Sequence, residues 1–213
     1  LQKHHNDSHH KYLISNSVLE SDVIINIPKI KCHLKAGYTG TLKNIVGING
    51  HKEYLPHFAI GSPNENGDQY PNKCRLKNVY NKLTDIFWSK NIPNGSPLYK
   101  IQFECMRLIE VIAKTICLDS CLEGDWSGNN TVSKMTIDIN NILNFYNRKT
   151  KKIENKPVRA VFQLLDGITS GEGQGPLKPS PKKTGILLAG FNPVIIDCAV
   201  ATMMGYNIYK LNT

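Results

Sequence analysis

The feature that most constrains this chain is an alternation of short apolar runs with helix-like stretches. Asp22 to Ile27 reads Asp-Val-Ile-Ile-Asn-Ile, is rich in β-branched residues and is stopped by Pro28, the pattern of a buried strand. Val158 to Leu165 and Thr184 to Ala189 are two more strand candidates. Between and after them, Asn78 to Lys90, Leu98 to Leu118, Thr131 to Tyr146 and Pro193 to Met204 carry apolar residues at helical spacing. Asn192 is placed to cap the last helix, Pro193 fits its first turn and Gly205 stops it. A further helical turn is expected over Thr41 to Val46, with Gly47 as its stop. Strands alternating with helices predict an α/β fold: one domain over 21–213, with a mixed or mostly parallel sheet flanked by helices, after a polar, His-rich segment over 1–20.

Residues 51–76 hold five prolines and glycines among polar residues and predict a long loop of the kind used as a lid or binding loop. Arg148 to Lys156 is a basic connector that reads as a solvated turn. No apolar run approaches the roughly 18 residues that a membrane helix needs. The chain begins at Leu1 with no apolar signal-peptide core, so it is expected to be cytoplasmic and a piece of a longer protein. His4, His5, His9 and His10 form a tract that can bind metal or simply be solvated. The six cysteines, Cys32, Cys74, Cys105, Cys117, Cys121 and Cys198, are widely spaced and predict mostly reduced thiols. Cys117 and Cys121 have metal-like spacing, but no second close pair completes a tetrahedral set.

The formal net charge of +9 calls for an anionic partner without naming one. Nucleic acid is the weaker choice, because aromatics are not interleaved with the basic runs and no reader motif is present. In open α/β sheets ligands sit beyond the carboxyl ends of strands, which selects the segments after Ile27 and after Leu165. The first, Pro28 to Asn44, sets Lys31, His33, Lys35, Thr39, Lys43 and Asn44 around two glycines. It is read as a loop whose lysines and backbone N–H groups, with the positive end of a helix starting at Thr41, hold phosphate or carboxylate. The second, Asp166 to Pro176, brackets Asp166 and Glu172 with flexible backbone that includes Gly173 and Gly175, a setting for metal, sugar-hydroxyl or acid–base work. Asp197 is the only charged residue between Phe191 and Tyr209, so it needs either a structural partner or a chemical role. Asn49 to His57 offers His51, Glu53 and His57 as metal or proton-transfer groups.

Four stretches together resemble the domain of unknown function 362 family, especially members found with bacterial surface-polysaccharide genes. They are Asp22–Gly50, Leu55–Tyr70, Gly124–Asn141 and Asp166–Gly205, and they keep the family's order and spacing over most of the chain. Relatives usually begin earlier, with a strand and a Lys-Pro-Asn segment. The third stretch departs from the family's pattern, with Ser127, Asn130, Ser133 and Lys134 in place of Tyr, Asp, Trp and Arg, and His51 stands where an Asp is usual. Some relatives carry ferredoxin-like cysteine clusters, which this chain lacks.

Residues and resemblance together predict a protein, possible enzyme included, that binds an anionic metabolite in surface-glycan metabolism. Lys31, Lys35, Thr39, Lys43, Asn44, Asp166, Gly173 and Gly175 would hold the ligand, and Glu172, Asp197 and His33 would serve as catalytic groups. The competing readings are a redox protein linked to an iron–sulfur cluster or ferredoxin, and a non-enzymatic anion or nucleic-acid binder. A divalent metal fits the carboxylates better than an iron–sulfur cluster fits the cysteines.

Overall fold

A computed structural model describes residues 4–6, 8–89, 92–93, 95–117, 119 and 121–210, without the side chains of 87–89 and 210. In chain order the elements are β1 (His5–Asn6), β2 (His9–His10), α1 (Asn16–Glu20), β3 (Val23–Asn26), β4 (Lys29–His33), β5 (Gly37–Thr39) and α2 (Thr41–Ile45). There follow α3 (Arg75–Ser89), α4 (Pro97–Ile116), α5 (Thr131–Phe145), β6 (Tyr146–Asn147), β7 (Lys152–Ile153), β8 (Ala160–Gln174), β9 (Lys178–Gly190) and α6 (Pro193–Met203). The helices and strands make the mixed α/β fold expected from the sequence. Lys90 and Leu118, the expected last residues of two helices, lie outside the described residues. No helix of the described residues is long and apolar enough to cross a membrane.

The chain divides into two compact units, 57–129 and 2–56 with 130–213. The second unit holds the main sheet. β8 is its axis, pairing parallel with β3 and β4 and antiparallel with β9, while β5 pairs antiparallel with β4. Val23 lies opposite Ala160 and Lys29 opposite Asp166, the same register, so β3 and β4 run as one interrupted strand along one edge of β8. Pro28 sits at the interruption, where its missing N–H is tolerated, and its carbonyl still accepts from the Asp166 N–H at 2.8 Å.

Side chains alternate across this sheet. One face carries Val161, Leu165, Ile30 and the buried amides Asn26 and Gln163, under α2, α5 and α6. Val132, Met135, Ile139 and Leu143 of α5 pack with Ile45 and Val46 on the β3 half of the sheet. Ile196 and Val200 of α6 cover Ile30 and Leu165. On the opposite face Val23, Ile25, Leu187 and Phe191 stand exposed, so the first apolar run is covered on one side rather than buried on both. Arg159 closes the C-terminal end of α5, donating to the carbonyls of Leu143, Tyr146 and Leu19. The basic connector folds as an exposed β6–β7 hairpin.

Two expected loops are ordered strand. Asp166 to Gln174 is the second half of β8, laddered to β9 from Gln163–Gly190 through Gln174–Lys178. Pro28 to Asn44 is β4, a tight return into β5, and α2. Glycine and lysine density suggested loops, but cross-strand pairing overrides a weak local signal. Gly47 does not end the Thr41 helix, which tightens into a 3-10 turn over Val46–Ile48.

In the other unit, α3 and α4 pack together, with Ser96 capping α4 through the Tyr99 N–H. Cys74 precedes α3 and Cys117 follows α4. The pairing of these helices brings their Cα atoms to 6.1 Å, and the two cysteines form a disulfide. This corrects the expectation of thiols at these positions and removes Cys117 as a metal partner for Cys121; Cys32, Cys105, Cys121 and Cys198 are free. The stretch after Pro56 is built into this unit. Ser62, Gln69 and Tyr70 are buried, Ser62 and Glu65 form a capping box, and the Trp126 indole N–H donates to the Asp68 carbonyl at 2.8 Å.

Candidate functional site

The helix that follows β5 organises the site. Asp197, 6% exposed on α6, aims its carboxylate at the start of α2. Oδ1 accepts from the Thr41 N–H at 2.6 Å and the Thr41 hydroxyl at 2.8 Å, and Oδ2 from the Leu42 N–H at 3.0 Å. Gly40 leaves the room: a Cβ there would stand 2.4 Å from Oδ1. Burial pushes the Asp197 carboxyl up, and the hydrogen bonds from Leu42 and Thr41 pull it back. The positive end of α2 is therefore filled by the protein's own carboxylate. This corrects the expectation that an external anion takes that end, and it makes Asp197 a fixed positioning group.

Buried amides secure the rest of α2. Asn26 Nδ2 donates to Gln163 Oε1 at 2.6 Å and to the Thr41 carbonyl at 2.9 Å. Asn44 Nδ2 donates to Asn26 Oδ1 at 2.6 Å, and Asn140 Nδ2 to the Leu42 carbonyl at 3.0 Å. Asn44, expected to bind ligand, is thus part of the frame. Asn26, Gln163 and Asn140 were missed from sequence, although a single amide inside each of two apolar runs was the visible sign.

This frame carries Lys43 toward β4. Lys43 is half-buried, and its ammonium is held below the ordinary lysine range by loss of water and then by the charge of Lys31. Lys31 faces Thr39 across the β4–β5 ladder, so the two side chains share one sheet face. Of the predicted ligand-binding residues, Lys31 and Thr39 are cross-strand neighbours, and the charge of Lys31 bears on Lys43.

The other predicted residues are dispersed or already engaged. Asp166 bridges Lys29 at 2.7 Å and accepts from the Ile168 N–H at 3.0 Å, and Lys29 holds its carboxyl below the usual range. His33 Nδ1 accepts from the Lys35 N–H at 3.1 Å. Gly175 passes so close to β4 that a Cβ would lie 1.9 Å from the Cys32 carbonyl, and its own carbonyl accepts from the Leu34 N–H at 3.3 Å. It is a strand-contact glycine rather than a phosphate cradle. Gly173 adopts φ +80° near the end of β8. Glu172 lies on the opposite sheet face from Lys31, bridged to Lys182 at 2.7 Å. There it borders a cavity of about 250 Å³ lined by Ile30, Cys32, Ser170, Val200 and Met204 among others. Glu172 thus neutralises Lys182 on the sheet face away from Lys31, and Asp197 caps α2 beside Lys43.

Among the described residues no group of three or more His, Cys, Asp or Glu side chains is arranged to hold a metal ion. His51 Nδ1 accepts from the Glu53 N–H at 3.4 Å, capping a short 3-10 turn.

No curated protein and no solved structure matches the chain. Residues 2–202 match the model of one family, described as Domain of unknown function (DUF362). The match runs through both units, including β4, β5, α2 and α6, and the chain belongs to the DUF362 family.

Proposed function

We propose that this protein binds an anionic metabolite, phosphate- or carboxylate-bearing, at Lys31, Thr39 and Lys43. One observation carries the reading: loss of water and then the charge of Lys31, on β4, hold the ammonium of the half-buried Lys43, on α2, below the ordinary lysine range. Like charges brought together out of water cost stability unless an anion joins them. Among the described residues neither lysine is ion-paired to an acid, whereas the neighbouring Lys29 and Lys182 each are. Thr39 adds a hydroxyl on the same face. The resemblance to relatives found with polysaccharide genes makes a sugar phosphate the first organic ligand to try, and a role in surface-glycan metabolism follows as part of the proposal.

The test is calorimetric titration of inorganic phosphate and of a hexose 1-phosphate into the wild type, Lys31→Ala, Lys43→Ala and Lys182→Ala. A charge-assisted hydrogen bond contributes about 1.5–3 kcal/mol, so each of the first two variants should bind about tenfold or more weakly. Lys182→Ala, on the other sheet face, should bind as the wild type does. Unchanged affinity in Lys31→Ala and Lys43→Ala would exclude this site.

A further inference from the structure

The N-terminal hairpin brings two imidazole nitrogens within hydrogen-bond distance of each other, a separation that one metal ion can also span. β1 and β2 pair antiparallel with His5 opposite His10, so both rings lie on one face of the hairpin and Asn6 and His9 on the other. His5 Nδ1 and His10 Nδ1 are 3.2 Å apart. Two nitrogens each about 2.0–2.1 Å from a common ion at that separation subtend about 100°, close to tetrahedral.

The proton positions follow from the partners. His5 Nε2 lies 3.1 Å from the Tyr54 carbonyl, which can only accept. The His5 proton is therefore on Nε2, and Nδ1 turns its lone pair toward His10. A ring nitrogen donating to a backbone carbonyl while the other is directed at a metal is the usual outer-shell arrangement of a ligating histidine. His5 is itself 6% exposed, and its ring packs 5.1 Å from Tyr12, which holds it in place before any ion arrives. His10 is exposed and is free to move its proton to Nε2, which leaves both Nδ1 lone pairs for a cation.

We propose that His5 and His10 bind one borderline divalent transition-metal ion, Zn²⁺ foremost, through their Nδ1 atoms, with water completing the coordination. Neutral imidazole nitrogens near the tetrahedral angle favour Zn²⁺ over the oxygen-seeking Mg²⁺ and Ca²⁺. His9 is not a ligand, since its rings' nitrogens are directed at Ser8 and Asn6 across the other face.

The experiment is titration of ZnCl₂ into the full chain carrying no added histidine tag, for the wild type, His5→Ala, His10→Ala and His9→Ala. One ion per chain is expected. His5→Ala and His10→Ala should each weaken binding by at least about tenfold, as loss of one of two ligands exceeds the loss of an outer-shell partner. His9→Ala should bind as the wild type does. Because His10 is exposed, circular dichroism of His10→Ala should match the wild type, which separates lost ligation from lost folding. Small and equal losses in all three variants would mean a non-specific histidine tract, and absence of saturable binding in the wild type would mean no site; either result overturns the proposal.

Discussion

At the scale of the residue, Asp197 shows how a chemical-looking group becomes structural. An isolated carboxylate on an apolar helix was legible in the sequence as a residue in need of a partner. Which partner it had was not, because Thr41 and Leu42 lie about 155 residues away and meet it only through the sheet. Asp197→Ala leaves the Thr41 and Leu42 N–H groups without their acceptor, while the Thr41 hydroxyl keeps the Pro193 carbonyl at 3.0 Å, so it should destabilise the protein by about 2 kcal/mol in urea unfolding. A variant with wild-type stability would show that α2 does not depend on this cap. His5 gives a pH signature. Its folded pKa lies below its unfolded one, so the unfolded chain binds the proton more readily. The stability it contributes is present above the unfolded value and is lost as the pH falls toward the folded value. Metal-free protein should therefore lose melting temperature between about pH 7.5 and about pH 5.5, across the ordinary histidine range, and His5→Gln should lose less. Equal slopes for both proteins would assign the loss to other groups.

At the scale of the element, strand and helix types were readable where periodicity was strong. α5 and α6 begin and end within a residue or so of their expected bounds, and Asn192 caps α6 by accepting from Val194 and Ile195 N–H. The second half of β8 was not readable, because glycines at 167, 171 and 173 disguise a strand whose order comes from β9 and β4. Gly167 and Gly171 mark close approach: a Cβ would meet the Ile30 side chain at 2.6 Å from the first and Pro179 at 2.7 Å from the second, while Gly173 serves a positive φ. Gly175→Ala is the sharpest test of this packing, since its Cβ would collide with the Cys32 backbone. It should cost about 1–3 kcal/mol or more, while Gly47→Ala, with nothing within 4 Å, should be neutral. Comparable melting temperatures for the two variants would contradict the strand-contact role.

At the scale of the whole molecule, the two units are held by different means. The sheet-bearing unit relies on helices packed over one face. The other closes 43 residues of sequence separation with the Cys74–Cys117 disulfide. Reduction, or Cys74→Ser with Cys117→Ser, should lower the stability of 57–129 by about 2–4 kcal/mol, seen as earlier urea unfolding of that region in hydrogen exchange. Wide cysteine spacing hid this bond, because only the pairing of α3 with α4 makes the two residues neighbours. The net charge of +9 was equally uninformative until placed. Lys29 and Lys182 are neutralised by Asp166 and Glu172 and the β6–β7 lysines are solvated, whereas the charge of Lys31 bears on the half-buried Lys43. The most direct test of that pair is an NMR titration of the Lys43 side chain with and without inorganic phosphate. Without phosphate, Lys43 should titrate below the ordinary lysine range, and saturating phosphate should raise it. A Lys43 titration that phosphate leaves unmoved would contradict an anion site at Lys31 and Lys43.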